Sequence, residues 1–375
     1  MKVLFAGDFC ETGRFTELLL KNEIHFVSEE MKAIISQNDF SVVNFEFPVV
    51  VSEAQPIPKI GPNLRGHKES VDALKYAGFN VCTLANNHIL DQGEKCCIDT
   101  KRLLNEAGFY TVGAGKDIID ASEILYLYKG NETMAIINCC EHEFTIATES
   151  RAGANPLNPI KQYYQIQEAR SKADYIVVIV HGGHEYYQLP SPRMQETYRF
   201  FIDSGADLVV NHHQHCYSGY EEYKDKYIFY GLGNFFFDNS SKRNGDWNEG
   251  FLLSVDFVSK GKPNVELLPY NQCNQNLYVE LMKEENYKLF FDKISELNYV
   301  IANEQELRKR YNFWMENNCK SIPVLFEPWQ GKYTSALYWH GLLPTTFRGT
   351  KRLKLSNYIW CESHLERLRF VFKDT

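Results

Sequence analysis

Three short apolar runs of this chain each end in a cluster of histidine or asparagine, and this pattern constrains the fold more than any other feature. The runs lie within 81–85, 177–180 and 208–210, and the clusters that follow them are 86–88, 181–185 and 211–215. Apolar runs of this length are typical of buried strands in a parallel sheet. Polar side chains at the carboxyl ends of such strands point into the crevice where open α/β sheets bind ligands. The pattern predicts an α/β fold with a ligand site at one sheet edge.

Apolar runs of strand length alternate along the chain with segments of helical period. We expect strands at 3–6, 41–44, 81–84, 134–138, 175–180, 208–210, 227–230 and 251–258, and helices at 66–77, 93–107 and 192–204. Gly78 and Gly108 follow two of these helices directly and are typical helix stops. This alternation predicts parallel strands joined by crossover helices that cover both faces of the sheet.

The composition changes after about Asn271, where Glu, Lys, Tyr, Phe and Trp become frequent and strand-like runs cease. We therefore expect one domain over residues 1–270 and a mostly helical C-terminal extension over 271–375, with paired helices within 286–311.

A basic run lies within this extension and has two interpretations. Its residues are Arg348, Lys351, Arg352 and Lys354. It is either the solvated face of a helical cap, or a patch that guides an anionic polymer or contacts a membrane surface. The cap would pack on the first domain through the apolar residues Tyr338, Trp339, Trp360, Leu365 and Phe370.

Charge and hydropathy exclude several classes of protein. The 375-residue chain has a formal net charge of −8, which argues against a nucleic-acid binder, because phosphate backbones are bound by clustered Lys and Arg. No apolar run approaches the ~20 residues of a transmembrane segment. The amino terminus is expected to be a first strand and not a signal peptide. Ten cysteines without CxxC spacing are typical of free thiols in a reducing compartment, so a cytoplasmic location is expected, with peripheral membrane association as the alternative.

The polar residues at the expected strand ends form a set of metal-ligand types. Asp8 and Glu46 supply carboxylates, Asn87 an amide oxygen, and His181, His213 and His215 imidazoles. This is the ligand mix of a hydrolytic site with two divalent metal ions, of which Mn, Fe or Zn suit it best. His88, next to Asn87, is the candidate catalytic residue, as a general acid or a phosphate clamp.

Asp91 and Gly93 allow two interpretations. They form either the cap and tight turn that open the helix from Glu94, or part of the metal site. The cap is the commoner arrangement.

Seven ordered motifs over roughly residues 1–260 resemble the CapA family of capsule-biosynthesis proteins, also described as poly-γ-glutamate synthesis proteins. They are Gly7-Asp8, Asn44-Phe45-Glu46, the segment 86–93, Gly113-Ala114-Gly115, the segment 181–186, the segment 205–215 and the segment 230–238. The resemblance implies a calcineurin-like metallophosphoesterase fold, which is a four-layer α/β/β/α sandwich with metals at the strand ends. It does not reach the last hundred residues.

The resemblance also implies roles for the ligand residues. Asp8 would bind the first metal, Glu46 would bridge both, and Asn87 and His181 would bind the second. His213 and His215 resemble the closing Gly-His-x-His motif of that fold, and His88 would contact the scissile group.

One position departs from the wider metallophosphoesterase pattern, which has a histidine two residues after the first aspartate. Cys10 stands there, which weakens the first metal site. Cys10 is either a thiolate ligand or a packing group.

Four further residues are expected around the ligands. Asn44 would face the same side as Glu46, His184 and His212 would orient a ligand imidazole or touch substrate, and Asn234 would hydrogen-bond a ligand histidine or line the pocket.

Two functions fit these expectations. The first is a metal-dependent hydrolase that acts on an anionic small molecule or polymer precursor in capsule or cell-surface polymer biosynthesis. The second is a weakly catalytic or non-catalytic accessory protein of poly-γ-glutamate or capsule assembly, which binds a polyanion or capsule-assembly proteins.

Overall fold

The computed structural model describes residues 1–21, 23–51, 53–258, 261–319 and 322–371. They form two compact units, Met1–Arg308 and Lys309–Thr375. The first unit therefore extends past residue 270 and includes a strand and a long helix of the expected extension. The domain boundary at residue 270 stays a prediction.

The first sheet of the first unit has eight strands. They are β1 (Lys2–Cys10), β2 (Phe40–Phe45), β3 (Val81–Thr83), β4 (Tyr110–Val112), and, later in the chain, β13 (Asn234–Phe237), β14 (Glu249–Asp256), β15 (Asn264–Gln272) and β16 (Val279–Leu281). Their order is β16-β15-β14-β1-β2-β3-β4, and β13 also pairs with β1. Strands β1 to β4 are parallel, as expected, whereas β14 to β16 are antiparallel.

The second sheet has six strands, with the order β11-β12-β10-β9-β7-β6. They are β6 (Leu125–Lys129), β7 (Glu132–Cys140), β9 (Tyr175–His181), β10 (Leu208–His212), β11 (Tyr220–Tyr223) and β12 (Lys226–Phe229). The four central strands are parallel and the two edge strands are antiparallel. A separate small ribbon pairs β5 (Ala114–Gly115) with β8 (Gly153–Ala154).

Helices cover both sheets of the first unit. They are α1 (Arg14–Leu19), α2 (Glu29–Ser36), α3 (Glu69–Ala77), α4 (Glu94–Glu106), α5 (Ile118–Ala121), α6 (Pro159–Arg170), α7 (Pro192–Asp203) and α8 (Glu284–Ala302). Helices α1 to α4 lie on the side of the first sheet, and α6 and α7 pack on the second. Ser191 caps α7 by accepting a hydrogen bond from the backbone N–H of Met194.

The two sheets face each other and enclose an apolar core. Aromatic pairs cross between them, with ring centroids 5.1 Å apart for Tyr175 and Phe257 and 6.2 Å apart for Phe229 and Phe251. Strands β9 and β10 are buried along their whole length, as the apolar sequence predicts for strands covered on both faces. The expected four-layer α/β/β/α sandwich is confirmed.

The rest of the chain is mostly helical, as expected. Helix α9 (Glu304–Asn318) follows α8 directly in the chain, and α10 (Lys332–Trp339), α11 (Gly349–Trp360) and α12 (Glu362–Val371) lie in the second unit. Within that unit, Glu327 accepts hydrogen bonds from Thr345, Thr346 and the backbone of Phe347. We call these contacts the Glu327 clasp.

The basic run lies on α11 and at the residue before it. Lys351 Nζ donates to the Phe326 carbonyl at 2.7 Å, so one of the four cations is engaged inside the second unit. The side chains of Trp360 and Phe370, expected to help anchor a cap, lie outside the described residues.

Two further expectations concern the compartment of the protein. The ten cysteines are in the reduced form, and eight of them are buried. Among the residues that the structure describes, no helix is both long and apolar enough to cross a bilayer.

Candidate metal centre

The strand ends of both sheets converge on one buried cluster. In the first sheet, Asp8 lies in register with Asn44 on one neighbouring strand and Asn234 on the other. In the second sheet, His212 lies in register with His181. Because parallel strands end at the same sheet edge, these pairings bring side chains from five strands together.

Asp8 turns into the cluster at an irregularity of β1, where its register with β2 shifts between Phe5 and Asp8. The Asn44 side-chain amide donates to Asp8 Oδ1 at 2.7 Å, and the His213 backbone N–H donates to Oδ2 at 3.2 Å. Burial raises the pKa of Asp8 to about 7, although both hydrogen bonds oppose the rise.

Glu46 lies at the centre of the cluster with no solvent exposure. Neither carboxylate oxygen has a hydrogen-bond partner among the described residues. Its Oε1 lies 3.7 Å from His181 Nε2 and 3.8 Å from His215 Nε2. Burial, and then the neighbouring charge of Asp8, raise the pKa of Glu46 well above its usual value. A buried carboxylate without donors is costly unless a cation accompanies it.

Two groups of side chains around Glu46 have the geometry of metal sites. One is Glu46, His181 and His213, and the other is Asp8, Glu46 and His215; within each group the ligand atoms lie within 4.8 Å of one another. Asn87 Oδ1 lies 3.0 Å from His181 Nε2, so this amide oxygen belongs with the first group. Glu46 is common to both groups, in the position of a bridging ligand.

The imidazoles of the cluster are neutral at physiological pH. Burial, and then the neighbouring His213, lower the pKa of His181 well below its usual value. Burial lowers the pKa of His213 to about 4 and that of His215 to about 3. Neutral imidazole is the form that binds metal, so no proton has to leave these rings before an ion binds.

The backbone around the closing histidines is unusual. His213 and His215 have φ angles of +94° and +54°, which non-glycine residues seldom adopt. Asn211 holds this turn, since its side-chain amide donates to the carbonyls of Gly182 and Tyr230 and its oxygen accepts from Tyr198. Conformations of this kind persist where the surrounding structure enforces them, and they concentrate at functional sites.

His88 lies beside the cluster and is 7% exposed. Its Nδ1 lies 2.6 Å from Asp91 Oδ2, so Nε2 is the ring nitrogen that Asp91 leaves free. Helix α4 begins at Glu94 as expected, but its N-cap is Gly93 without a side-chain cap bond. The expected cap and tight turn are therefore confirmed at Gly93, whereas the Asp91 side chain makes no cap bond, because its carboxylate is occupied by His88, Lys59 and the backbone N–H of Leu64.

Three other residues expected near the ligands lie within the cluster or beside it. Asn234 Oδ1 lies 2.9 Å from His215 Nδ1. His212 is buried, its Nδ1 lies 3.6 Å from Asp8 Oδ1, and burial lowers its pKa to about 3. His184 is half-buried on the turn after β9, and burial lowers its pKa.

Cys10 is fully buried and forms part of the hydrophobic core of the first sheet. Burial, and then the charge of Glu46, raise the pKa of its thiol well above the usual value. A thiolate is therefore disfavoured in this position, and the contacts of Cys10 are those of a packing group.

Two residues of this site gave no signal in the sequence. Lys59 lies on an irregular segment and contacts both Asp91 and His88. Glu143 accepts a hydrogen bond from the Asn87 amide nitrogen at 3.3 Å, which leaves the amide oxygen facing His181. Isolated Lys and Glu residues outside strands and helices have no pattern that could mark them, whereas the three-residue spacing of His88 and Asp91 could have suggested their contact.

Comparison with known proteins agrees with the resemblance. Residues 2–239 match the family described as bacterial capsule synthesis protein PGA_cap. The chain is 31% identical over 279 residues to the capsule biosynthesis protein CapA of Bacillus anthracis. This alignment covers 72% of this chain and 67% of that protein. It is 32% identical over 270 residues to the PGA biosynthesis protein CapA of Bacillus subtilis. That alignment covers 71% of this chain and 70% of the relative.

Among solved structures, a novel phosphatase from Mycoplasma pneumoniae is similar with a TM-score of 0.45 and 15% sequence identity, covering 73% of this chain and 95% of that chain. A likeness this loose carries no argument about activity.

The fold and the buried ligand cluster define an α/β sandwich with a candidate metal centre at the ends of its strands. The chain belongs to the PGA_cap family of bacterial capsule synthesis proteins.

Proposed function

We propose that this protein is a metal-dependent hydrolase of phosphoesters that acts in capsule or cell-surface polymer biosynthesis. The observation that carries the proposal is the Glu46 carboxylate, which is fully buried without a hydrogen-bond donor and lies between His181 and His215. A cation is the partner that such a carboxylate lacks.

The donor set fits a pair of divalent ions of the Mn, Fe or Zn type. Asp8, Glu46 and His215 would hold one ion. The other would be held by Glu46, Asn87, His181 and His213. Such a pair supplies positive charge to the phosphoryl oxygens and makes water a stronger nucleophile at neutral pH.

The remaining side chains then have definable tasks. His88 Nε2 would donate a proton to the leaving oxygen or hold a phosphoryl oxygen, while Asp91 keeps the ring in place through Nδ1. Asn44 lies within hydrogen-bond distance of the Asp8 carboxylate and would keep it oriented. Asn234 would do the same for the His215 ring.

The substrate class follows from the family and the chemistry together. The two Bacillus relatives are named for capsule and PGA biosynthesis. We therefore propose an anionic small molecule or polymer precursor as substrate, and capsule-assembly proteins as partners.

A specific observation favours a second function, that of a weakly catalytic accessory protein. Cys10 occupies the place of the histidine in the wider metallophosphoesterase pattern and lies in the core, so among the described residues the group that would hold the first ion consists of Asp8, Glu46 and His215. Three protein ligands bind an ion less firmly than four, and a site that fills poorly would bind a polyanion without turning it over.

Metal analysis combined with turnover tests the proposal. The purified full-length chain, expressed with added Mn²⁺, Fe²⁺ or Zn²⁺, should carry one to two ions and hydrolyse bis-p-nitrophenyl phosphate with Mn²⁺ present, and a chelator should abolish the hydrolysis. Absence of bound metal would overturn the proposal. Bound metal without turnover of any phosphomonoester or phosphodiester would favour the accessory function.

A further inference from the structure

An irregular segment of the first unit crosses the candidate site next to His88. We call residues 53–65 the strap. Its backbone donates from Gln55 to the Gln92 carbonyl at 3.0 Å and from Ile57 to the Asp91 carbonyl at 3.1 Å. The strap is thus fastened to the loop that carries His88.

The Lys59 side chain points inward from the strap and is only 2% exposed. Its Nζ donates to Asp91 Oδ1 at 2.7 Å and to the Asn87 carbonyl at 3.2 Å. It also lies 3.3 Å from Nδ1 of His88. A buried ammonium is costly unless it is paired, so its position next to these groups requires the Asp91 carboxylate.

The Asp91 carboxylate is divided between two sets of donors. Oδ1 accepts from Lys59, while Oδ2 accepts from the Leu64 backbone N–H at 2.7 Å and lies 2.6 Å from His88 Nδ1. With both oxygens held, the carboxylate cannot rotate, and the His88 ring is fixed with Nε2 free.

We propose that Lys59 is a positioning residue of the hydrolytic site, which fixes the Asp91 carboxylate and through it the orientation and tautomer of His88. This inference rests on the proposed function as far as catalysis is concerned. The positioning of the His88 ring is independent of it and is measurable without substrate.

Substitution of Lys59 by methionine keeps the length of the side chain and removes its charge. Without the ammonium, Asp91 Oδ1 loses its donor and the carboxylate can turn away from His88. In K59M we expect kcat for the phosphodiester to fall about ten- to hundred-fold, because small misplacements of a catalytic group have effects of this size. KM and metal content should stay within two-fold of the original protein, and Lys59→Arg should recover part of the rate.

The matched control loosens the strap without removing any of the groups that contact the Asp91 carboxylate. Gln92 Nε2 donates to the Leu64 carbonyl at 2.9 Å and thereby holds the strap at another point. Q92A should make the strap more sensitive to limited proteolysis, as K59M should, but it should retain kcat. An equal loss of kcat in Q92A would overturn the proposal, because Lys59 would then act only as a fastening of the strap.

A spectroscopic measurement keeps the inference testable if the chain proves to lack phosphodiesterase activity. Nitrogen-15 spectra of histidine-labelled protein, assigned with His88→Gln, should show one tautomer of His88 with the proton on Nδ1. K59M should show a mixture of tautomers or a broadened ring signal. An unchanged His88 spectrum in K59M would overturn the inference whatever the activity of the chain.

Discussion

Nδ1 of His88 lies 2.6 Å from Oδ2 of Asp91, three residues further along the chain. This contact distinguishes the two ring nitrogens, since Nδ1 faces the Asp91 carboxylate and Nε2 does not. The candidate metal ligands, in contrast, lie next to one another around Glu46.

His88→Ala should therefore separate catalysis from metal binding. We expect metal content to be unchanged and phosphodiester turnover to fall by a factor on the order of 10² to 10⁴, as is usual when a positioned acid or clamp is removed. Steady-state kinetics and metal analysis on the same preparation measure both quantities. Full activity in this variant would show that His88 takes no part in catalysis.

Substitution of the cluster histidines should have the opposite effect. His181→Ala and His215→Ala should each reduce bound metal strongly, because each removes an imidazole next to Glu46. His340, which is exposed in the second unit, provides the control, and His340→Ala should keep the full metal content. Elemental analysis by mass spectrometry is the measurement, and equal losses in all three variants would show that the site lies elsewhere.

Gly7 should tolerate no side chain. The first half of β1 pairs with β14, and its last residues pair with β13. Gly7 lies where the partner strand changes, and a Cβ on Gly7 would lie 1.8 Å from the Gly233 carbonyl oxygen. Because the obstacle is backbone, Gly7→Ala should lower the free energy of unfolding by about 2 kcal/mol or more.

Gly245 is the matched control, since a Cβ there meets nothing within 4 Å and its φ is −149°. Urea unfolding of Gly7→Ala and Gly245→Ala checks this prediction. Comparable stability of the two variants would contradict it.

The Glu327 clasp should make the second unit sensitive to acid. Burial raises the pKa of Glu327, but hydrogen bonds from Thr345, Thr346 and Phe347 outweigh this and hold the pKa at about 2, below the usual 4.5. Because the folded-state pKa is depressed, the clasp contributes its full stability above pH 4.5 and loses it as the pH falls toward 2.

Glu327→Gln removes this dependence and serves as the comparison. The variant should be less stable than the original protein at pH 7, and the difference should shrink steadily between pH 5 and pH 3. Urea unfolding followed by tryptophan fluorescence at several pH values measures it. A difference that does not vary with pH would mean that the Glu327 charge is not involved.

Much of the architecture could be predicted because two independent patterns agree along the chain. The apolar runs of β9 and β10 are too short for helices, and the residues that follow them are of metal-ligand types. The length of the runs and the residue types therefore indicate the same strand ends. The six residues expected to bind metal lie together in the structure for this reason.

The remainder depends on contacts that no local pattern encodes. Lys59 reaches Asp91 from a segment without helix or strand, and the antiparallel strands β15 and β16 carry too many polar residues to be recognised. The local sequence around Asp91 predicts a helix cap, whereas donors from residues 59 and 64 of the strap engage its carboxylate. Long-range pairing outweighs local preference at these positions.

If ions bind on both sides of Glu46 as proposed, its shared position would also link the lifetime of the protein to its supply of ions. An ion that binds only the folded chain stabilises it by about 2.7 kcal/mol when its free concentration is about 100 times Kd. Here the same ion would relieve the burial of a carboxylate that otherwise has no donor. Cells short of that metal would therefore hold less of the folded protein, because its unfolded fraction is exposed to proteases. The amount of this protein would then report the metal status of the cell before any change in its synthesis.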